Sequence, residues 1–260
     1  MHRSKLLLAA ALCAGLATSS AQAESDAPLR LATDVPYQPF EYALPDGTLA
    51  GFDIELGNAV CAYLERECEW VVQGWDGLIP GLQARKYDAI MSAMTISEVR
   101  RRQVLFSDTY FQMPSVWVAH QGSDIDITDP ESLEGKVVGV QTATLQDNYV
   151  TDLHGDTVEV RRYASWADVV TDMRTQRLDL AFMEYPTAQS FVDIDEASSD
   201  FQRLGDLVRE PARYFSQGVG VAFRKRDREL AEDFNEAFTA LKEDGTYAAI
   251  VDKYFDSPAP

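Results

Sequence analysis

Strand-like and helix-like segments alternate along almost the whole chain, and this rhythm limits its fold more narrowly than any other feature. Apolar runs at 29–33 (LRLAT), 68–73 (CEWVVQ) and 88–92 (DAIMS) read as strands. Between the first two, Leu56, Val60 and Tyr63 or Leu64 recur at helical spacing, with Asp53 as the expected N-cap of a helix running to about Glu65. A second helix is expected behind Asp76, through Leu78, Leu82 and Arg85, with Pro80 tolerable in its first turn. A short helix should begin near Ser97. The same rhythm then repeats, with strands at 136–141, 158–163 and 179–183 and helices at 144–153 and 165–176. A strand at 218–225 and helices at 227–243 and 246–254 complete the reading. Such a succession calls for an α/β fold of mostly parallel sheets with helices on both faces.

The first 23 residues stand outside this pattern. His2, Arg3 and Lys5 precede an apolar run from Leu6 to Ala17, and an Ala21-Gln22-Ala23 site follows. That order is the signature of a cleaved secretory signal peptide, and the run is too short to span a bilayer. The mature chain is expected to start near Glu24, with Cys13 removed. Without Arg3 and Lys5, 21 basic residues face 42 acidic ones. So acidic a chain argues against nucleic acid and anionic membrane as partners. Two cysteines remain, Cys61 and Cys68, and in an exported protein such a pair is most simply a disulfide. No metal is expected, because His120 and His154 have no partner at ligand spacing. The acidic stretch at 124–129 (DIDITD) lacks the glycine and glutamate of a calcium loop.

In open α/β sheets ligands bind beyond the carboxyl ends of strands. Asp34, Ser92 to Thr95, Thr142 to Thr144 and Glu184 all lie just past an expected strand end, so four strands point to one converging polar site. Its residue types suit a free amino acid. An α-carboxylate needs a guanidinium and backbone N–H groups, which Arg100 and the helix start at Thr144 can supply. An α-ammonium needs oxygen acceptors, for which Glu184 and Thr95 are candidates. Tyr37 and Trp75 offer flat walls for a side chain, and Asp34 suits a cationic tip.

The segments ATDVPYQPFEY (32–42), GFDIELGNAVCAYLERECEW (51–70), GWDGLIPGLQARKYDAIMSAMTISEVRR (74–101) and EDGTYAAIVDKYF (243–255) resemble the periplasmic amino-acid-binding proteins of ABC importers. These are the solute-binding proteins of family 3, and the lysine/arginine/ornithine- and histidine-binding branch, with its opine-binding relatives, is the nearest in kind. The resemblance implies a two-lobed clamp of the type II periplasmic binding fold, whose first lobe is discontinuous and joined to the second by two crossovers. Residues 24–113 and 213–260 would form lobe 1, and 114–212 lobe 2. It further implies that Tyr37 and Trp75 sandwich the ligand side chain, that Asp34 and Ser92 face its distal end, and that Ala93 offers its backbone carbonyl. Thr95 and Arg100 would hold the α-amino and α-carboxylate groups, joined by Thr144 on the carboxylate and Glu184 on the ammonium. The Cys61–Cys68 spacing matches the family's small disulfide.

Three departures bear on the ligand. The family's ammonium anchor is usually an aspartate, where Glu184 is one methylene longer. A loop that usually reads glycine-threonine-threonine is Ala143-Thr144-Leu145, and a serine usual in the basic-amino-acid branch is Ala93. The expected function is capture of a polar, cationic amino acid (arginine, lysine, ornithine, histidine or an opine) in the periplasm by a monomer without cofactor, for delivery to an inner-membrane ABC permease. A neutral ligand such as glutamine is the alternative. A prephenate or arogenate dehydratase on the same fold is the enzymatic one, but the position of its extra acid, three past Glu184, is Thr187. Thr187 and Ser132 are read as ordinary surface or helix residues.

Overall fold

The computed structural model describes residues 27–215 and 217–255. The expected signal peptide and its cleavage site lie outside the described residues. Twelve strands are present among them: Leu29–Thr33 (β1), Tyr42–Ala43 (β2), Leu49–Ala50 (β3), Cys68–Val72 (β4), Ala89–Ile90 (β5), Leu105–Phe106 (β6), Ser115–His120 (β7), Val137–Gln141 (β8), Glu159–Tyr163 (β9), Leu180–Glu184 (β10), Phe201–Val208 (β11) and Ala222–Phe223 (β12). They form two five-stranded sheets, ordered β4-β1-β5-β12-β6 and β11-β7-β10-β8-β9, and a small β2–β3 hairpin.

The two sheets share one plan. In each, four strands run the same way and one runs against them: β12 in the first sheet and β7 in the second. Both reversed strands are the first that the chain forms after crossing from the other sheet. A strand entering from the crossing must run away from it, so the strands between the crossings can end at it. The carboxyl ends of β1, β5, β8 and β10 are thereby turned toward one cleft. This is the two-lobed α/β architecture that the alternation and the resemblance imply.

The helices form where apolar residues recur at helical spacing. Ala231, Phe234, Ala237, Phe238 and Leu241 bury one face of helix Arg228–Glu243. Phe234 meets Phe223 of β12 edge-on, 5.1 Å between ring centres. Helix Leu145–His154 and helix Trp166–Arg174 begin at Thr144 and Ser165, whose side chains accept from the N–H groups of Asp147 and Asp168. Ser97 caps helix Glu98–Arg101 in the same way, accepting from the Arg100 N–H. Cys61 and Cys68 are joined in a disulfide, with Cα atoms 5.8 Å apart, tying helix Phe52–Tyr63 to the start of β4.

Several expectations need correction. Asp53 does not cap its helix; Gly51 does, at φ 126°, where a Cβ would lie 2.2 Å from the Phe40 carbonyl oxygen. Asp76 lies in a 3₁₀ turn, Trp75–Gly77, ahead of helix Leu78–Gln83, and makes no side-chain cap. The strand at 218–225 shrinks to β12, because Gly218 turns with φ 65°. Just past the expected boundary at 212–213, Tyr214 and Phe215 are still part of the second sheet's core. Helix Ala212–Phe215 packs Tyr214 and Phe215 against Tyr149, and the Tyr214 hydroxyl donates to Asp152 Oδ2 at 2.5 Å.

Candidate ligand-binding site

All nine residues singled out from the sequence, Asp34, Tyr37, Trp75, Ser92, Ala93, Thr95, Arg100, Thr144 and Glu184, line one cavity between the two sheets. The cavity is narrow, with only about 10 Å³ of free space between its lining side chains, so a ligand enters only if the two sheets part. Asp34 follows β1, Ser92 to Thr95 follow β5, Thr144 follows β8, and Glu184 ends β10.

Arg100 dominates the electrostatics. Its side chain is buried, at 7% exposure, above the Trp75 ring with 5.1 Å from Cζ to the centroid. Nη1 donates to the Thr95 carbonyl at 2.7 Å, and Nη2 to the Ala143 carbonyl at 3.4 Å. No carboxylate lies within 4.0 Å of it among the described residues. Burial lowers its pKa to about 10, and only the more distant charges of Glu184 and Tyr37 work in the other direction. A buried guanidinium bonded to neutral carbonyls alone is incomplete, and an anion would complete it.

Glu184 stands in the opposite condition. It is buried at 6% exposure, and its Oε2 has no hydrogen-bond partner. Burial raises its carboxyl to about 7, against the lesser pull of its own backbone N–H, Tyr37 and Arg100. A cationic group beside it would restore the ionised form. Tyr37 is both wall and core: its ring stacks on Phe40 at 5.5 Å. Trp75 donates its indole N–H to the Ala143 carbonyl at 3.3 Å, so this one carbonyl of the second lobe receives Trp75 and Arg100 of the first. Ala143 adopts φ 60°, the left-handed region in which the family's glycine is free of strain.

Two hydroxyls are tied into the frame of the cavity. The Thr144 hydroxyl accepts from the Asp147 N–H and donates to the Gln141 carbonyl at 2.8 Å, so it caps its helix. Ser92 Oγ accepts from the Asp34 N–H at 3.0 Å and donates to Glu41 Oε1 at 2.5 Å, so its hydroxyl fixes the floor of the cavity.

The cavity also takes in Gln141, Leu145, Gln146 and Trp166, which the sequence reading missed. Gln141 donates across the cleft to Asp34 Oδ2 at 3.1 Å. Gln146 and Trp166 sit two residues and one residue past the foreseen helix starts Thr144 and Ser165, and their proximity to a site at helix N-termini was the available signal. Behind the cavity, Asp53 accepts from the Ala93 N–H at 2.6 Å and from the Tyr110 hydroxyl at 2.7 Å. Thr187 is fully buried, with no hydrogen-bond partner for its hydroxyl, and is not a surface residue.

Over most of its length the chain is similar to known binding proteins. The L-arginine-binding protein of Pseudomonas aeruginosa is 40% identical over 233 residues, covering 89% of each chain. The lysine/arginine/ornithine-binding periplasmic protein of Escherichia coli is 38% identical over 254 residues, 97% of each chain. The solved structure of an ancestral arginine-binding protein bound to arginine superposes with a TM-score of 0.80 at 32% identity, covering 88% of this chain and 98% of that one. The sequence model of the bacterial extracellular solute-binding proteins, family 3, matches residues 29–257. A cleft built from the carboxyl ends of two like sheets, together with a match of that length, means that this chain belongs to the bacterial extracellular solute-binding proteins of family 3.

Proposed function

We propose that this protein captures a cationic amino acid between its two lobes in the periplasm and presents it to an inner-membrane ABC permease. The observation that carries this reading is Arg100, a buried guanidinium with no counterion among the described residues, which lines the same cavity as the carboxylate Asp34. The α-carboxylate lies on Arg100 and the N-terminus of helix Leu145–His154. The α-ammonium lies against Glu184 and the backbone oxygens near Thr95, the side chain between Tyr37 and Trp75, and its cationic tip toward Asp34. Arginine is the first ligand to test, because relatives that cover most of this chain are named for it.

Closure about crossings near Gln112 to Pro114 and just after Phe215 brings these groups together. The ligand favours the closed form because only there are both lobes' contacts made. Binding is the whole activity of this monomer, with no catalytic step and no cofactor. Thr187 offers a neutral hydroxyl where a dehydratase of this fold would need an acid.

The test is a thermal-shift screen of the mature protein, refolded to strip carried ligand, against arginine, lysine, ornithine, histidine, octopine, glutamine and glutamate. A ligand at 100 times its dissociation constant adds about 2.7 kcal/mol of stability. Shifts from the cationic members are expected. A shift from glutamate alone, or from none of the panel, would overturn the reading.

A further inference from the structure

Asp34, the residue that faces a cationic tip, has a charge that depends on its surroundings. Its carboxylate is half-buried, and no basic side chain lies within 4.0 Å among the described residues. Its polar support from the other lobe is the Gln141 amide, whose Nε2 lies 3.1 Å from Oδ2. Gln141 ends β8, is 3% exposed, and is fixed by a second donation from Nε2 to the Ala164 carbonyl at 3.0 Å. Its amide therefore meets Asp34 in one orientation.

We infer that Gln141 is a specificity-determining residue, a neutral donor that holds the Asp34 carboxylate in place across the cleft while leaving its negative charge for a cationic ligand tip. The inference rests on the cationic-amino-acid reading above. Three properties of glutamine matter. It donates a hydrogen bond, which favours the ionised carboxylate. It carries no charge, so it does not satisfy the carboxylate as a lysine or arginine would. It belongs to the opposite sheet, so the contact spans the two lobes. Burial raises the Asp34 carboxyl to about 6, with Asp76 adding to the rise and the Gln141 hydrogen bond opposing it. A leucine at 141 would remove that opposition, and a lysine would neutralise the subsite outright.

The test compares L-arginine with L-citrulline, which has nearly the same shape but an uncharged tip, by calorimetric titration of the stripped protein and of Gln141→Lys and Gln141→Glu. The wild type should prefer arginine. Gln141→Lys should cut the arginine-to-citrulline affinity ratio by at least about tenfold, since two unit charges a few ångströms apart in a protein interact by more than 1.4 kcal/mol. Gln141→Glu should leave the ratio unchanged or raise it. A merely structural role for Gln141 would weaken both ligands by the same factor. Equal affinity of the wild type for both ligands, or ratios within about twofold in the wild type and both variants, would overturn the inference while leaving amino-acid capture intact. If the wild type binds neither ligand, the cationic-amino-acid reading itself fails.

Discussion

Arg100 is a guanidinium held out of water by Trp75 and bonded only to carbonyl oxygens, and Glu184 is a buried carboxyl with an oxygen left over. Each lacks what the two α-groups of an amino acid would bring. Removing one partner of such a buried charge pair costs about 2–5 kcal/mol. Arg100→Ala should therefore weaken arginine binding by about 30-fold to several thousand-fold, measured by calorimetric titration. Unchanged affinity would move the carboxylate elsewhere. Asp34→Asn should weaken arginine more than glutamine, and equal losses would contradict its assignment to the tip. At this scale the sequence was informative where a side chain follows a strand end, as Asp34, Ser92, Thr95 and Glu184 do. It was uninformative where a side chain reaches the site from behind or across it. Nothing in spacing tells that Gln141 meets Asp34 across the cleft, 107 residues away, or that Thr187 is turned inward from its helix.

The elements explain how the floor of the site keeps its shape. Ala93 is bent into the left-handed region at φ 42°, a cost of about 1–2 kcal/mol for a residue with a Cβ. Asp53 holds that bend by accepting the Ala93 N–H, and Glu41 holds the adjoining Ser92 hydroxyl. Both carboxyls are buried; Asp53 is raised to about 7 and Glu41 well above the usual carboxylate range, in each case chiefly by burial. Asp53→Ala would orphan the Ala93 N–H and the Tyr110 hydroxyl. It should destabilise the protein by about 2–6 kcal/mol in denaturant unfolding, at about 1–3 kcal/mol for each orphaned donor, and weaken ligand binding as well. Stability within 0.5 kcal/mol of the wild type would show that the bend needs no such tie. The disulfide should behave differently, because Cys68 pairs with Leu29 at the opposite end of β1 from the site. Cys61→Ser with Cys68→Ser should cost roughly 2–3 kcal/mol of stability and leave ligand affinity unchanged. A large loss of affinity would mean that the site feels that end of the sheet. The parallel strands and their helices were legible because each strand is a short apolar run followed by a periodic helix. Strands β7 and β11 were not, since they pair antiparallel with each other, and β11 is interrupted by a bulge between Leu204 and Val208.

The whole molecule is two copies of one sheet plan facing each other, bridged by Gln141 to Asp34 and by the Ala143 carbonyl to Trp75 and Arg100. Its charge state links binding to pH. Asp34 and Glu184 lie at about 6 and 7 in the ligand-free cleft, above their ordinary 3.8 and 4.5. A cationic ligand favours their ionised forms, so at pH near or below these values its binding must expel protons. Affinity for arginine should then rise from pH 5 to about pH 7.5, by up to tenfold per unit for each proton released, and level off above. Affinity that is flat over that range in calorimetry would place both carboxyls in the ionised state without ligand. The sequence showed the two-lobed plan through its motifs. That Tyr214 and Phe215 join the second core is a choice made by three-dimensional packing and not by local pattern. The central claim, an amino acid clamped by its α-carboxylate on Arg100, is tested most directly by titrating the stripped protein with L-arginine and with agmatine, which keeps the guanidinium but has no carboxylate. One-to-one binding of arginine, with agmatine weaker by about 30-fold or more, is the result predicted. Agmatine binding as tightly as arginine would contradict it.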